Sequence, residues 1–110
     1  MWIFSEIGFF SAVENYFETD NVLVRGRFKQ DLENLQEVIK EQEGLVLELM
    51  ITPENDYHFR LNVPKDVWGR ICQGLAAGIT YHNFKNHVHG EPDRDHAYME
   101  CWVAMNRVQE

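Results

Sequence analysis

Two cysteines, three prolines and seven glycines among 110 residues rule out a disulfide scaffold, a collagen-like repeat and a Pro/Gly-rich linker. Long hydrophobic runs are also missing. The longest nearly apolar stretch, Leu45–Ile51, contains Glu48 and is far too short to span a bilayer. Basic charge is scarce, with 10 Lys+Arg against 18 Asp+Glu and a formal net charge of -8. A field of that sign repels duplex nucleic acid and anionic membrane surfaces as principal partners. The opening Met1-Trp2-Ile3-Phe4-Ser5-Glu6 lacks the basic start of a secretory signal. The expectation is therefore a cytoplasmic protein, with Cys72 and Cys101 as reduced thiols in the core. No HExxH, paired CxxC, GxSxG or Gly-rich phosphate loop occurs, so no recognised catalytic frame is present and no cofactor is implied.

What is present suits one α+β domain over residues 1–110. The chain is 45% hydrophobic and 13% aromatic, and a chain of this length buries roughly two-thirds of its unfolded surface. Trp2–Tyr16, broken at Gly8, reads as two strands or one bent strand, and Val22–Phe28 as a further strand. Leu32, Leu35, Val38 and Ile39 recur at helical spacing within Asp31–Lys40, and Gly44 is placed to stop that helix. Leu45–Ile51 and Tyr57–Val63 read as a strand hairpin across Thr52–Asp56. Pro64 leads into a helix over Lys65–Ala77 with Trp68, Ile71, Cys72, Leu75 and Ile79 on one face. After the irregular Tyr81–Gly90, Pro92-Asp93 opens a last helix with Tyr98, Cys101, Trp102, Met105 and Val108 on its buried side and Asp93 or Asp95 as its cap. This order predicts one antiparallel sheet with helices on one face, in a ferredoxin-like arrangement.

Alternation sorts the strands by face. Val22, Val24, Gly26 and Phe28, with Tyr57, Phe59, Leu61 and Val63 and with Leu45, Leu47, Leu49 and Ile51, belong under the helices. The other face collects Arg25, Arg27, His58 and Arg60 against one acid, Glu48. Three of the six arginines of an acidic chain thus share a surface. Guanidinium forks bind phosphate and carboxylate, so this face is a candidate site for a small anionic ligand, completed by Tyr81, Asn83, Phe84 and Lys85. A solvated face, or one that pairs with a second copy, fits the same pattern.

Four histidines, His82, His87, His89 and His96, fall within fifteen residues beside Glu91, Asp93, Asp95 and Glu100, a composition that can serve a transition metal. Loop histidines beside carboxylates are commoner without a metal, and none is assigned. His96 and Glu100, four apart, read as a helix-surface pair. Trp2, Phe4, Phe9, Phe10, Tyr16 and Phe17 crowd the first seventeen residues, more than one end of a small core needs. That excess points to a contact between subunits and a homo-oligomer.

Met1-Trp2 with Gly8-Phe9-Phe10-Ser11, Val24-Arg25-Gly26-Arg27, Asp56-Tyr57-His58-Phe59-Arg60, Tyr81-His82-Asn83-Phe84-Lys85, Ala97-Tyr98 and Trp102-Val103-Ala104-Met105 are landmarks along nearly the whole chain. In these the chain resembles a family of small bacterial and phage proteins of about this length. The resemblance implies this order of elements and brings no activity or site residues. By type rather than motif, a small acidic domain with local arginines and many aromatics is also similar to phage proteins that sequester nucleotide immune signals. The expected function is non-enzymatic binding of a nucleotide-derived anion. A protein-interaction module and a metal-dependent hydrolase are the alternatives.

Overall fold

The computed structural model describes residues 1–110, which group into two compact units, Met1–Ile79 and Thr80–Glu110. The first is built on strands β1 (Trp2–Ser5), β2 (Gly8–Glu14), β3 (Asn21–Gly26), β4 (Met50–Ile51) and β5 (Phe59–Pro64), with helices α1 (Lys29–Glu43) and α2 (Lys65–Ala77). All strand pairs are antiparallel, in the order β1-β2-β3-β5-β4. β3 and β4 both run against β5, so they are parallel to each other and joined through α1, a split β-α-β unit of the ferredoxin-like kind. The expected α+β architecture with a single antiparallel sheet is the observed one.

The core follows from periodicity. Leu32, Leu35 and Ile39 of α1 and Val67, Trp68 and Ile71 of α2 pack on Phe10, Ala12, Val24, Leu61 and Val63, one face of the sheet. Phe10, Val24, Leu32, Leu35, Ile39, Leu61, Val63 and Ile71 are wholly buried. Each such side chain contributes about 1.5–3 kcal/mol through burial. The Trp68 ring meets Phe10 edge-on at 6.3 Å, while its indole N–H is buried without an acceptor. Helix α1 stops at Gly44, whose φ of 66° is the left-handed conformation a Cβ disfavours and whose N–H donates to Lys40 O.

The turn between β1 and β2 is pinned to the first turns of α1. Asp31, 1% exposed, accepts the Phe9 N–H at 3.0 Å on Oδ2, and the Asn34 amide donates to Ile7 O at 3.0 Å. Gly8 between them has φ 146° and presses against the Asp31 side chain.

Three expectations need correction. β4 covers Met50–Ile51 rather than Leu45–Ile51. Leu45, Leu47 and Leu49 still pack on the core, but Leu47 O accepts from the Gln36 side chain at 2.9 Å instead of joining a ladder. β5 begins at Phe59, so Tyr57 lies outside the strand and escapes its alternation.

The third correction concerns the second unit, which holds the short helix α3 (Phe84–His87) and α4 (Pro92–Arg107). On α4 only Tyr98 is buried. Cys101, Trp102, Met105 and Val108, expected inside, are exposed. The N-cap of α4 is Glu91, accepting from the Arg94 N–H at 2.7 Å, rather than Asp93 or Asp95. Asp95 instead holds His89 Nδ1 at 2.7 Å. No helix is long and apolar enough to cross a membrane.

Candidate functional site

The face of the sheet away from α1 and α2 carries a continuous cross-strand row. Pairing sets Trp2 opposite Ser11, Ser11 opposite Arg25, Arg25 opposite Arg60, and Arg60 opposite Met50. Directly paired residues project to the same side, so two guanidinium side chains stand as neighbours. Like charges in that relation are unfavourable unless other groups hold them, and several do.

The holding group is Tyr57. The residue is 4% exposed, and its ring carries the Arg27 guanidinium 4.1 Å from its centroid and that of Arg25 at 4.7 Å. The sequence assigned Tyr57 to the helix-covered face. The late start of β5 puts it with the arginines instead. Arg25 also donates to Ser11 Oγ at 2.7 Å, leaning toward β2. Arg27 donates to Asp56 O at 2.7 Å and Arg60 to Tyr57 O at 3.2 Å. The carboxylate beside them is Asp56, 3.6 Å from Arg60 and itself 69% exposed at its side chain. The sequence had put Glu48 in that role, but Glu48 precedes the two-residue β4 and is exposed. Three positive charges therefore meet one well-solvated negative charge. The Arg60 side chain is 15% exposed and Arg27 is exposed, so the cluster has both a held and an accessible end.

His58 is exposed, with its ring edge-on to Phe59 at 6.2 Å. The other expected ligand-binding residues belong to the second unit and have partners there. Tyr81 stacks on His87 at 4.4 Å, and Phe84 stacks on Tyr98 at 6.0 Å. The Asn83 side chain caps α3 by accepting the Asn86 N–H, and the Lys85 ammonium sits 4.4 Å over the Trp102 ring. Lys85, Val88, His89, Asp95, Tyr98 and Met99 line a recess of about 130 Å³, well below the ~300 Å³ at which pockets take drug-sized ligands.

The four clustered histidines do not converge. His87 is against Tyr81, His89 against Asp95, and His96 pairs with Glu100 at 3.2 Å with both side chains well exposed. No three His, Cys, Asp or Glu groups gather as ligands for a metal ion. Of the two thiols, burial pushes Cys72 up from its ordinary range, away from the nucleophilic thiolate.

Fold and face together define an α+β protein with an arginine- and aromatic-bearing open sheet. No protein-family model, curated protein or solved structure matches the chain.

Proposed function

We propose that this protein binds a small anionic, nucleotide-derived ligand on the open face of its sheet, as a binder rather than a catalyst. The observation that carries the reading is the direct opposition of Arg25 and Arg60, with Arg27 beside them and Asp56 as the nearby acid, in a chain of net charge -8. An arrangement that gathers like charges becomes favourable when a multivalent anion bridges them, because charge-assisted hydrogen bonds to phosphate are among the stronger ones. Sequestration of a nucleotide signal in the cytoplasm, in the manner of small phage proteins, fits a site with many donors and no assembled nucleophile and base.

The test is isothermal titration with nucleoside phosphates and pyrophosphate, and recovery of the ligand afterwards. Arg27→Ala removes an exposed charge and leaves the fold in place. Arg60→Lys keeps the charge but loses the fork. Both weaken binding about tenfold or more, since a charge-assisted hydrogen bond contributes about 1.5–3 kcal/mol. Unchanged affinity in both variants overturns the assignment. Ligand recovered as fragments replaces a binder with an enzyme.

A second reading has its own support. Trp2 is 72% exposed, Tyr16 87% and Phe17 90%. Aromatic surface of this extent fits an interface with a second copy, and a homo-oligomer in light scattering that Tyr16→Ser and Phe17→Ser dissociate bears that out. A monomer at all concentrations rejects it.

A further inference from the structure

The arginine cluster explains an anion but not the rest of its row. Trp2 closes the row at the β1 end, directly opposite Ser11, the residue whose hydroxyl accepts from Arg25. With 72% of its surface exposed, Trp2 gains little from burial in this chain. It is nevertheless held in place, because Phe9 meets its ring edge-on at 6.1 Å and is itself stacked on Phe4 at 4.5 Å. The N-terminal ammonium donates to Ala12 O at 2.9 Å and Ala12 N–H donates to Met1 O at 2.8 Å, fixing the chain immediately before Trp2. A large, flat, solvent-facing indole on a braced strand has the form of a stacking platform.

The distances suit one ligand class. β1 and β3 flank β2, so Trp2 and Arg25 stand two strand spacings apart, about 10 Å between their backbones. Arg25 leans toward β2 and shortens that span at the side-chain level. A nucleoside phosphate has a flat π-face at one end and an anion at the other. Aromatic side chains on open sheet surfaces hold bases by stacking, with arginines taking the phosphates.

We infer that Trp2 is the base-stacking residue of the site, so that its ligand is a nucleoside phosphate lying across β2, with the base on Trp2 and the phosphate at Arg25. This rests on the anion-binding reading above and adds to it the identity of the ligand's other end. The chain's charge of -8 favours a free nucleotide over a strand of nucleic acid, whose additional phosphates lie outside the arginine cluster.

Titrations with AMP, ribose 5-phosphate and a single-stranded oligoadenylate of eight residues test it, on the wild type and on Trp2→Ala, Trp2→Phe and Arg27→Ala. AMP binds the wild type about tenfold or more tightly than ribose 5-phosphate, the stacking share of one base. Trp2→Ala erases that ratio by weakening AMP alone, and Trp2→Phe restores most of it. Arg27→Ala weakens both small ligands by the same factor. The octamer binds no more tightly per molecule than AMP, and an octamer bound much more tightly overturns the choice of a free nucleotide. An unchanged ratio in Trp2→Ala overturns the stacking role while the anion site stands. Failure of both AMP and ribose 5-phosphate to bind the wild type overturns the two readings together.

Discussion

Gly8 carries the sharpest prediction about the fold, because its conformation and its surroundings both exclude a side chain. Its φ of 146° lies in a region that other residues enter at a cost of about 1–3 kcal/mol. A Cβ built there stands 2.6 Å from Asp31 Cβ and 2.7 Å from Asp31 Oδ2, inside van der Waals contact. Relief requires Asp31 to move, yet Asp31 is 1% exposed and accepts the N–H of Phe9, the second residue of β2. Overpacking of that kind adds about 1–3 kcal/mol. Gly8→Ala should therefore lose about 2–6 kcal/mol.

Urea titration followed by tryptophan fluorescence, in which Trp68 is the buried reporter beside exposed Trp2 and Trp102, measures this. With a slope of about 1–3 kcal/mol per molar for a small protein, the midpoint falls by about 1–3 M. Gly44→Ala is the comparison, since Gly44 also has positive φ but no atom within 4 Å of a built Cβ. It should lose only about 1–2 kcal/mol, the backbone share. Asp31→Ala costs about 1–3 kcal/mol by leaving the Phe9 N–H unpaired. Combined with Gly8→Ala, it costs somewhat less than the sum, because the carboxyl part of the collision is gone and only the contact with the Cβ at position 31 remains. If Gly8→Ala is no worse than Gly44→Ala, or if the double variant is strictly additive, the collision with Asp31 is not what excludes a side chain.

Two further predictions concern charge. Burial raises the Cys72 pKa, so the folded state holds that proton longer than the unfolded chain does. Its contribution to stability is complete below the ordinary thiol range and is lost as pH rises through the folded value. Urea midpoints from pH 7 to 10 therefore fall more steeply in wild type than in Cys72→Ala, and identical slopes refute it. Ligand affinity should change less than tenfold between 50 and 200 mM salt, because attraction at three arginines is offset by repulsion from the rest of an acidic chain. Proteins with 6–10 phosphate contacts lose about 10³–10⁵ over that range, and a fall of that size here means a far larger basic surface than the arginine cluster.

Helices were legible where spacing and burial coincide. Leu32, Leu35 and Ile39 announce α1, and Trp68 and Ile71 announce α2, because a helix that packs on a sheet must show one apolar stripe. Spacing alone misleads on α4, whose stripe of Cys101, Trp102, Met105 and Val108 has the same period yet stands exposed. Periodicity reports that a face is apolar and leaves open what covers it. Leu45–Leu49 makes the corresponding point for strands. Alternate residues pack on the core there, but the Gln36 side chain takes the Leu47 carbonyl and no ladder forms. Alternation reads burial, whereas pairing depends on where the backbone groups find partners.

The arginine face was legible for the same reason, since Arg25 and Arg60 each alternate with buried valine or leucine. Their direct opposition was not, because it depends on β3 pairing with β5 across an intervening helix and a hairpin. Strand alternation places Tyr57 under the helices only if β5 reaches two residues before Phe59, and it does not. Arg25 lies in β3 and Arg27 just past its end, two residues on, and repulsion alone would splay them. One aromatic ring contacted by both guanidiniums lets them converge, since a ring face attracts cations by about 0.5–2 kcal/mol each. A carboxylate in the place of Tyr57 would attract them more strongly and would also cancel the charge. An aromatic ring gathers the arginines while leaving their net charge available to an anion, and this favours a ligand site over a self-satisfied ion-pair cluster.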